Sequence, residues 1–204
     1  DSKDNKLKLL VNKLGYECFR GSENDVLSRY YSVAKSSNAD IIIRITGDCP
    51  LVDAKLVDEC VKKYKKSNVD YLSNSNPPTF PDGLDIEVFS FSALEVAYYE
   101  AKSSSEREHV TPYLINNKQF SKSNIPNSKN LSDLRWTVDE AEDFQVITKI
   151  FESFFPNIFF SWEEVLELRL MKPNLFIDNQ HINRNEGLIM GQGQKLYKRA
   201  KKII

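Results

Sequence analysis

An excess of charge of either sign is the first thing this sequence lacks. Its 204 residues carry 28 basic and 29 acidic side chains, a formal net charge of −1. With no global positive field, nucleic acid is not an expected partner. Apolar runs long enough to cross a bilayer are absent, so no membrane partner is expected either. No signal-peptide pattern is visible. Cysteine is scarce. Cys18, Cys49 and Cys60 are odd in number and widely spaced, which excludes a disulfide framework or a zinc pattern and points to a reducing cytoplasm. The G-x-x-x-x-G-K-S/T phosphate loop is missing, and no G-x-G-x-x-G follows a strand pattern. Internal repeats and long low-complexity tracts are missing too.

What is present is ordinary for a globular chain: 41% apolar and 28% charged residues. The organising stretch is Asp40-Ile-Ile-Ile-Arg-Ile-Thr-Gly-Asp-Cys-Pro-Leu-Val-Asp53. Its β-branched run predicts a buried central strand, parallel and covered on both faces. Thr46-Gly47 breaks the strand and Pro50 prevents its return. Asp48 therefore sits at a strand's carboxyl end, where open α/β sheets place ligands. Its alternative role is to cap the turn into the next helix. Cys49 beside it is read as a small buried filler, because no motif pairs it with a base.

Around that strand, periodicity predicts helices over Lys6 to Leu14, from Val26, over Ala54 to Lys66, Phe91 to Ala101, from Ser105, Ala141 to Phe154 and Ser161 to Leu170. Short strands are predicted at Tyr16 to Phe19, Asp70 to Leu72, Leu84 to Phe89 and Leu134 to Asp139. Ser22 or Asn24 is expected to cap the second helix, and Ser105 with Glu108 to form a capping box. Ser73 to Asp82 reads as a loop too polar for the core, and Asn116 to Ser132 as a polar excursion. The strand–helix alternation implies an α/β fold with a mostly parallel sheet. Residues 1–173 form the domain, 174–191 read as a linker, and 192–204 as a basic helix.

Three constellations carry chemistry. Asp48 and Asp139 both end strand patterns, and Mg²⁺ takes one or two protein carboxylates beside water and phosphate oxygens. Asp139 could instead cap the helix that follows. Asp82, Asp85 and Glu87, in Phe80-Pro-Asp-Gly-Leu-Asp-Ile-Glu87, offer acceptors to sugar hydroxyls or simply line an exposed strand face. Arg107 and His109, in Ser105-Glu-Arg-Glu-His-Val-Thr-Pro112, could meet an anion and a proton, or make structural bonds.

Five blocks in order resemble the cytidylyltransferases of spore-coat polysaccharide biosynthesis, relatives of acylneuraminate cytidylyltransferases. They are Phe19-Arg-Gly-Ser-Glu-Asn-Asp-Val-Leu-Ser-Arg-Tyr30, Arg44-Ile-Thr-Gly-Asp-Cys-Pro-Leu51, Phe80-Pro-Asp-Gly-Leu-Asp-Ile-Glu-Val-Phe89, Glu106-Arg-Glu-His-Val-Thr-Pro-Tyr113 and Leu134-Arg-Trp-Thr-Val-Asp-Glu140. The resemblance implies a three-layer α/β/α, glycosyltransferase-A-like nucleotide-diphospho-sugar transferase fold with a mixed, mostly parallel sheet. It implies CTP and a sugar or sugar acid as substrates, CMP transfer with release of pyrophosphate, and surface polysaccharide biosynthesis as the setting. Asp48 and Asp139 would hold Mg²⁺ and, with Arg107, act in catalysis. Gly21, Ser22, Glu23, Thr46 and Gly47 would meet the nucleotide. Asp82, Asp85, Glu87, Glu108 and His109 would face the sugar. A homodimer is a family habit.

The same resemblance implies that Asp1 falls downstream of the family's first strand and phosphate loop, so the chain is expected to lack both. From Arg184 the tail is similar to the join and opening helix of a glutamate-1-semialdehyde-type aminotransferase, implying a fused domain. Two rivals stand beside this reading. A glycosyltransferase of the same fold would be expected to carry Asp-x-Asp after the central strand, where Asp48-Cys49-Pro50 stands. A non-catalytic binding fragment is the other, consistent with the expected lack of a phosphate loop.

Overall fold

The computed structural model describes residues 2–184. In chain order its elements are α1 (Asn5–Lys13), α2 (Val26–Ser36), β1 (Ile41–Arg44), α3 (Ala54–Ser67), β2 (Tyr71–Ser73), β3 (Glu87–Ser90), α4 (Phe91–Glu100), α5 (Ser104–His109), α6 (Pro112–Asn116), β4 (Lys122–Asn124), α7 (Ala141–Phe154) and α8 (Trp162–Met171). Single 3-10 turns cover Ser2–Asp4 and Pro173–Phe176. The strands pair in the order β1-β3-β2-β4. The expected α/β class with a mixed sheet is present.

The chain divides into two compact units. One comprises the chain up to Ile42, with Asn68–Tyr71 and Val88–Ser123. Its core joins Leu27 and Ala34 of α2 to Ala93, Leu94 and Ala97 of α4, with Tyr71, Phe89, Val110 and Leu114. Helix α2 forms because Asp25 accepts from the Ser28 amide at 3.0 Å, relieving one of the first turn's unpaired donors. The α2 residue Tyr31 stacks on Tyr98 of α4 with ring centroids 4.0 Å apart, and its hydroxyl donates to Glu95.

The other unit comprises Ile43–Ser67, Leu72–Glu87 and the chain from Asn124 on. Helix α3 buries Leu56, Cys60 and Tyr64, four residues apart and so on one face, while its lysines face solvent. Helices α7 and α8 bury Val146, Ile147, Ile150, Val165 and Leu168. Ser161 caps α8 by accepting from Glu164, whose carboxylate accepts from the Ser161 amide, a reciprocal capping box.

Several expectations are corrected. Strand β1, expected at the centre, stands at one end of the strand order, and Ile43 is 42% exposed. Its isoleucines are therefore not buried on both faces. Tyr16 to Phe19 is irregular rather than a strand, with both aromatics exposed. The cap of α2 is Asp25, not Ser22 or Asn24. Helix α5 is capped two residues earlier than expected, by Ser103 with Glu106. The polar excursion after Asn116 contains β4, held by the Ile125 amide donating to Ser73 O at 2.9 Å. The loop after Ser73 is not excluded from the core. Asn74 is buried and clamps it, donating to Leu84 O and accepting from the Ile86 amide, each at 2.8 Å. Leu134 to Asp139 does not form the expected strand; among the described residues its ladder contact is a parallel bridge between Arg135 and Asp82. Within the stretch expected to be a linker, Phe176 and Asn179 are buried. Residues 185–191 of that linker and the basic helix 192–204 lie outside the described residues.

Candidate active site

The turn after β1 is built by its own backbone. The Cys49 amide donates to Thr46 O at 3.3 Å, and the Val52 amide to Cys49 O at 3.3 Å. Helix α3 is then capped by Asp53, which accepts from Leu56 at 2.9 Å and, through its other oxygen, from the Trp162 amide at 3.2 Å. Asp48 is thus not the cap. Its main-chain carbonyl accepts from the Val138 amide at 2.8 Å and from the Thr137 hydroxyl at 3.2 Å. Those two bonds tie the Asp48 turn to the segment that carries Asp139.

Asp139 is not the cap of α7 either. Its amide and that of Glu140 both donate to Asp143 Oδ2, at 3.0 and 2.9 Å. The Asp139 carboxylate stays half exposed and accepts from Arg135 at 3.0 Å. Both acids expected to hold a metal are therefore free of the capping duties that could have explained them, and their backbones are joined. Among the described residues no cluster of three or more His, Cys, Asp or Glu could hold a metal ion. A pair of hard carboxylates suits a cation that completes its shell with water and phosphate oxygens.

Arg135 organises this region. Its Nε and Nη2 grip both oxygens of Asp143 at 2.8 and 2.7 Å, and Nη1 reaches Asp82 at 3.5 Å. Asn179 donates to Arg135 O and to Asp143 Oδ1. Burial raises the Asp143 carboxyl, yet the bonds from Arg135, Asn179 and two amides bring it down to about 2. Asp82 is raised. Burial is the largest cause, and Asp85 and Asp139 add to it, while Arg184 and Arg135 oppose it. Arg184 lies 2.5 Å from both Asp85 oxygens and 3.7 Å from Asp82. Glu87, expected to share a face with Asp85, is instead buried against Arg44. Gly83 makes the turn between Asp82 and Asp85 at φ +101°, lying so close to the Trp136–Thr137 backbone that no side chain fits.

Cys49 is buried, and burial first, with Asp48 and Asp85 next, pushes its thiol up to about 12 against a bond from Thr46. It is a filler and not a thiolate nucleophile.

In the other unit, Gly21, Ser22 and Glu23 form an exposed turn before α2, and Glu23 pairs with Lys3 at 3.4 Å. Arg107 is committed: it donates to Asp25 at 3.0 and 2.6 Å and to Tyr98 O at 2.6 Å, and its guanidinium lies over the Tyr98 ring. Glu108 is exposed and His109 half buried. His109 precedes a strained turn. Val110 is buried at φ +72°, a conformation β-branched residues rarely adopt, and the Thr111 amide donates to His109 O at 2.8 Å.

Sequence reasoning assigned no role to Arg135 or Arg184. An arginine inside the apolar run Leu134-Arg-Trp-Thr-Val was the available signal, since a charge carried into a core needs partners.

Comparison with known proteins first places the chain among α/β domains of one fold. A cytidylyltransferase from Leptospira borgpetersenii serovar Hardjo-bovis matches 90% of this chain and 78% of its own, with TM-score 0.84 and 36% identity. Residues 1–184 match the family model described as Cytidylyltransferase, and the chain belongs to that family. An uncharacterised protein of Methanocaldococcus jannaschii is 41% identical over 154 residues, covering 74% of this chain and 62% of that protein. The spore coat polysaccharide biosynthesis protein SpsF of Bacillus subtilis is 30% identical over 153 residues, covering 73% of this chain and 62% of its own length. The chain thus spans 62% of the length of both curated relatives. No helix among the described residues is long and apolar enough to cross a membrane.

Proposed function

We propose that this chain carries the nucleotide and metal site of an enzyme that transfers CMP from CTP to a sugar or sugar acid, releasing pyrophosphate. Surface polysaccharide biosynthesis is the setting suggested by its likeness to SpsF. The observation that carries the reading is the bond from the Val138 amide to Asp48 O at 2.8 Å. It sets two acid-bearing turns side by side in a family defined by cytidylyl transfer.

In this reading Asp48 and Asp139 hold Mg²⁺, which would offset the charge of the phosphates. Thr46 and Gly47, beside Asp48 in the same turn, take the nucleotide. Asp82 and Asp85 face the sugar hydroxyls, held by Arg184 and Arg135. A sugar hydroxyl oxygen bonds to the α-phosphorus, its proton passing to solvent, as the bond from the α-phosphorus to the bridging oxygen breaks and pyrophosphate leaves with that oxygen. Positioning of the two substrates supplies most of the acceleration. Arg107, held by Asp25 and Tyr98, acts by fixing α5 to the start of α2 rather than as a free cation.

Calorimetric titration with CTP, ATP, GTP and UTP, each with and without Mg²⁺, tests this. Selective, magnesium-dependent binding of CTP that Asp48→Asn abolishes without lowering the melting midpoint is the expected result. Nucleotide binding that ignores both magnesium and Asp48→Asn would remove the metal assignment.

A further inference from the structure

Asn179 follows α8, yet its side chain is buried against the segment that leads to Asp139. An amide nitrogen carries two N–H groups. Nδ2 of Asn179 donates to Arg135 O at 3.1 Å and to Asp143 Oδ1 at 2.9 Å. Both acceptors belong to residues that grip Asp139. Asp143 Oδ2 accepts from the Asp139 amide at 3.0 Å, and Arg135 Nη2 donates to Asp139 Oδ2 at 3.0 Å. The main chain and the carboxylate of Asp139 are therefore both oriented by partners that Asn179 holds.

A cap for α7 needs less than this. The Asp143 bond to the Glu140 amide by itself answers an unpaired donor of that helix start. The bonds to Arg135, Asn179 and the Asp139 amide are additional. They leave the Asp139 carboxylate half exposed, with Oδ1 unpartnered among the described residues. An acid held from behind and open in front is how a metal ligand is presented. Removing the groups behind it typically costs about ten- to a hundredfold in metal affinity. The Val138 amide, between Arg135 and Asp139, also holds Asp48 O, so the braced frame includes the Asp48 turn. All of these residues belong to one compact unit.

We propose that Asn179 is a positioning residue of the candidate site, acting through Arg135 and Asp143 to fix the direction of the Asp139 carboxylate toward a divalent cation. The inference rests on the metal reading above. Asparagine suits the position because a neutral amide gives two donors to two acceptors. Aspartate would set a second carboxylate against Asp143, and leucine of the same shape gives no donor.

The test is a double-mutant cycle on Mn²⁺ affinity, read by electron paramagnetic resonance of the full chain without nucleotide, beside melting. The unaltered chain is expected to bind Mn²⁺, and Asp139→Asn to weaken it. Asn179→Leu should lose about tenfold or more. Combined with Asp139→Asn it should lose about as much as Asp139→Asn alone, because the asparagine acts only through that acid. Arg135→Lys, which keeps the charge but not the fork, should show the same coupling, and it decides the matter if Asn179→Leu does not fold. A role confined to stability predicts a lower melting midpoint with Mn²⁺ affinity unchanged in the folded variant. That outcome would overturn the proposal, and so would losses at Asn179 and Asp139 that simply add. Failure of the unaltered chain to bind Mn²⁺, or binding that Asp139→Asn leaves intact, would remove the metal reading itself, and this inference with it.

Discussion

Arg135 and Asp143 meet through two parallel bonds of 2.8 and 2.7 Å, with the acid fully buried and the arginine nearly so. A buried pair of this kind is worth little relative to apolar residues of the same shape, but its halves are costly alone. Asp143→Ala leaves a buried guanidinium with only Asp82 and Asp139 to answer it. Arg135→Met leaves a buried carboxylate. Each is expected to cost about 3–5 kcal/mol in urea unfolding, and the double variant clearly less than the sum. Additive losses would mean that the two side chains act separately.

The same pair sets an acid limit on stability. Asp143 titrates at about 2 in the fold, against an ordinary 3.8. A depressed carboxyl stabilises the fold above its unfolded value and loses that contribution as pH falls toward the folded one. The window is therefore from about pH 4 to about pH 2, and the contribution at stake is about 2 kcal/mol. Asp25 and Glu106 also lie below their ordinary values and add to the loss. Asp82, raised chiefly by its burial, works the other way, because the folded state protonates it more readily. Urea midpoints measured across that window should fall with pH, and fall less steeply in Asp143→Asn.

How far the sequence carried these conclusions differs by region. Helix α3 was legible from its amphipathic period and α8 from its Ser161-Trp-Glu-Glu164 opening, whereas the caps of α3 and α7, Asp53 and Glu140, were not. The Asp48 turn was legible from the break after an isoleucine run. The pairing of Leu134 to Asp139 was not, since a single bridge to Asp82 leaves little periodicity to read. Nor was the burial of Asn74, which depends on bonds to Leu84 and Ile86 ten and twelve residues away. The roles of Arg135 and Arg184 depend on contacts up to about a hundred residues apart, and no local pattern encodes those.

Asp25 does two things at once, and they can be separated. It caps α2 through Ser28 and pairs with Arg107 through both oxygens. Asp25→Asn keeps the cap acceptor and weakens the ion pair, whereas Asp25→Ala removes both. The alanine variant is expected to cost about 1 kcal/mol more than the asparagine variant, the usual value of a cap. Arg107→Met should cost about as much as Asp25→Asn, with the pair non-additive in a double-mutant cycle. A cost for Arg107→Met confined to CTP turnover, with melting unchanged, would restore that arginine to a chemical role.

Two glycines in the same unit should respond oppositely to alanine. At Gly83 the backbone stands at φ +101°, and a Cβ would lie 2.6 Å from Thr137 N and from Trp136 C and O. Those are main-chain atoms of the segment that leads to Asp139, and they cannot yield as a flexible side chain can. Gly83→Ala is therefore expected to cost about 3 kcal/mol or more, through both conformation and contact. It should also displace Asp82 and the Val138–Asp48 link, weakening CTP binding. At Gly47 a Cβ would meet nothing within 4 Å. Gly47→Ala should leave the melting midpoint within the scatter of an ordinary surface change, about 0.5 kcal/mol. If Gly47 lies against the nucleotide, CTP affinity will fall in that variant while stability holds. An unchanged affinity would take Gly47 out of the site and leave Asp48 as the nearest contact in that turn.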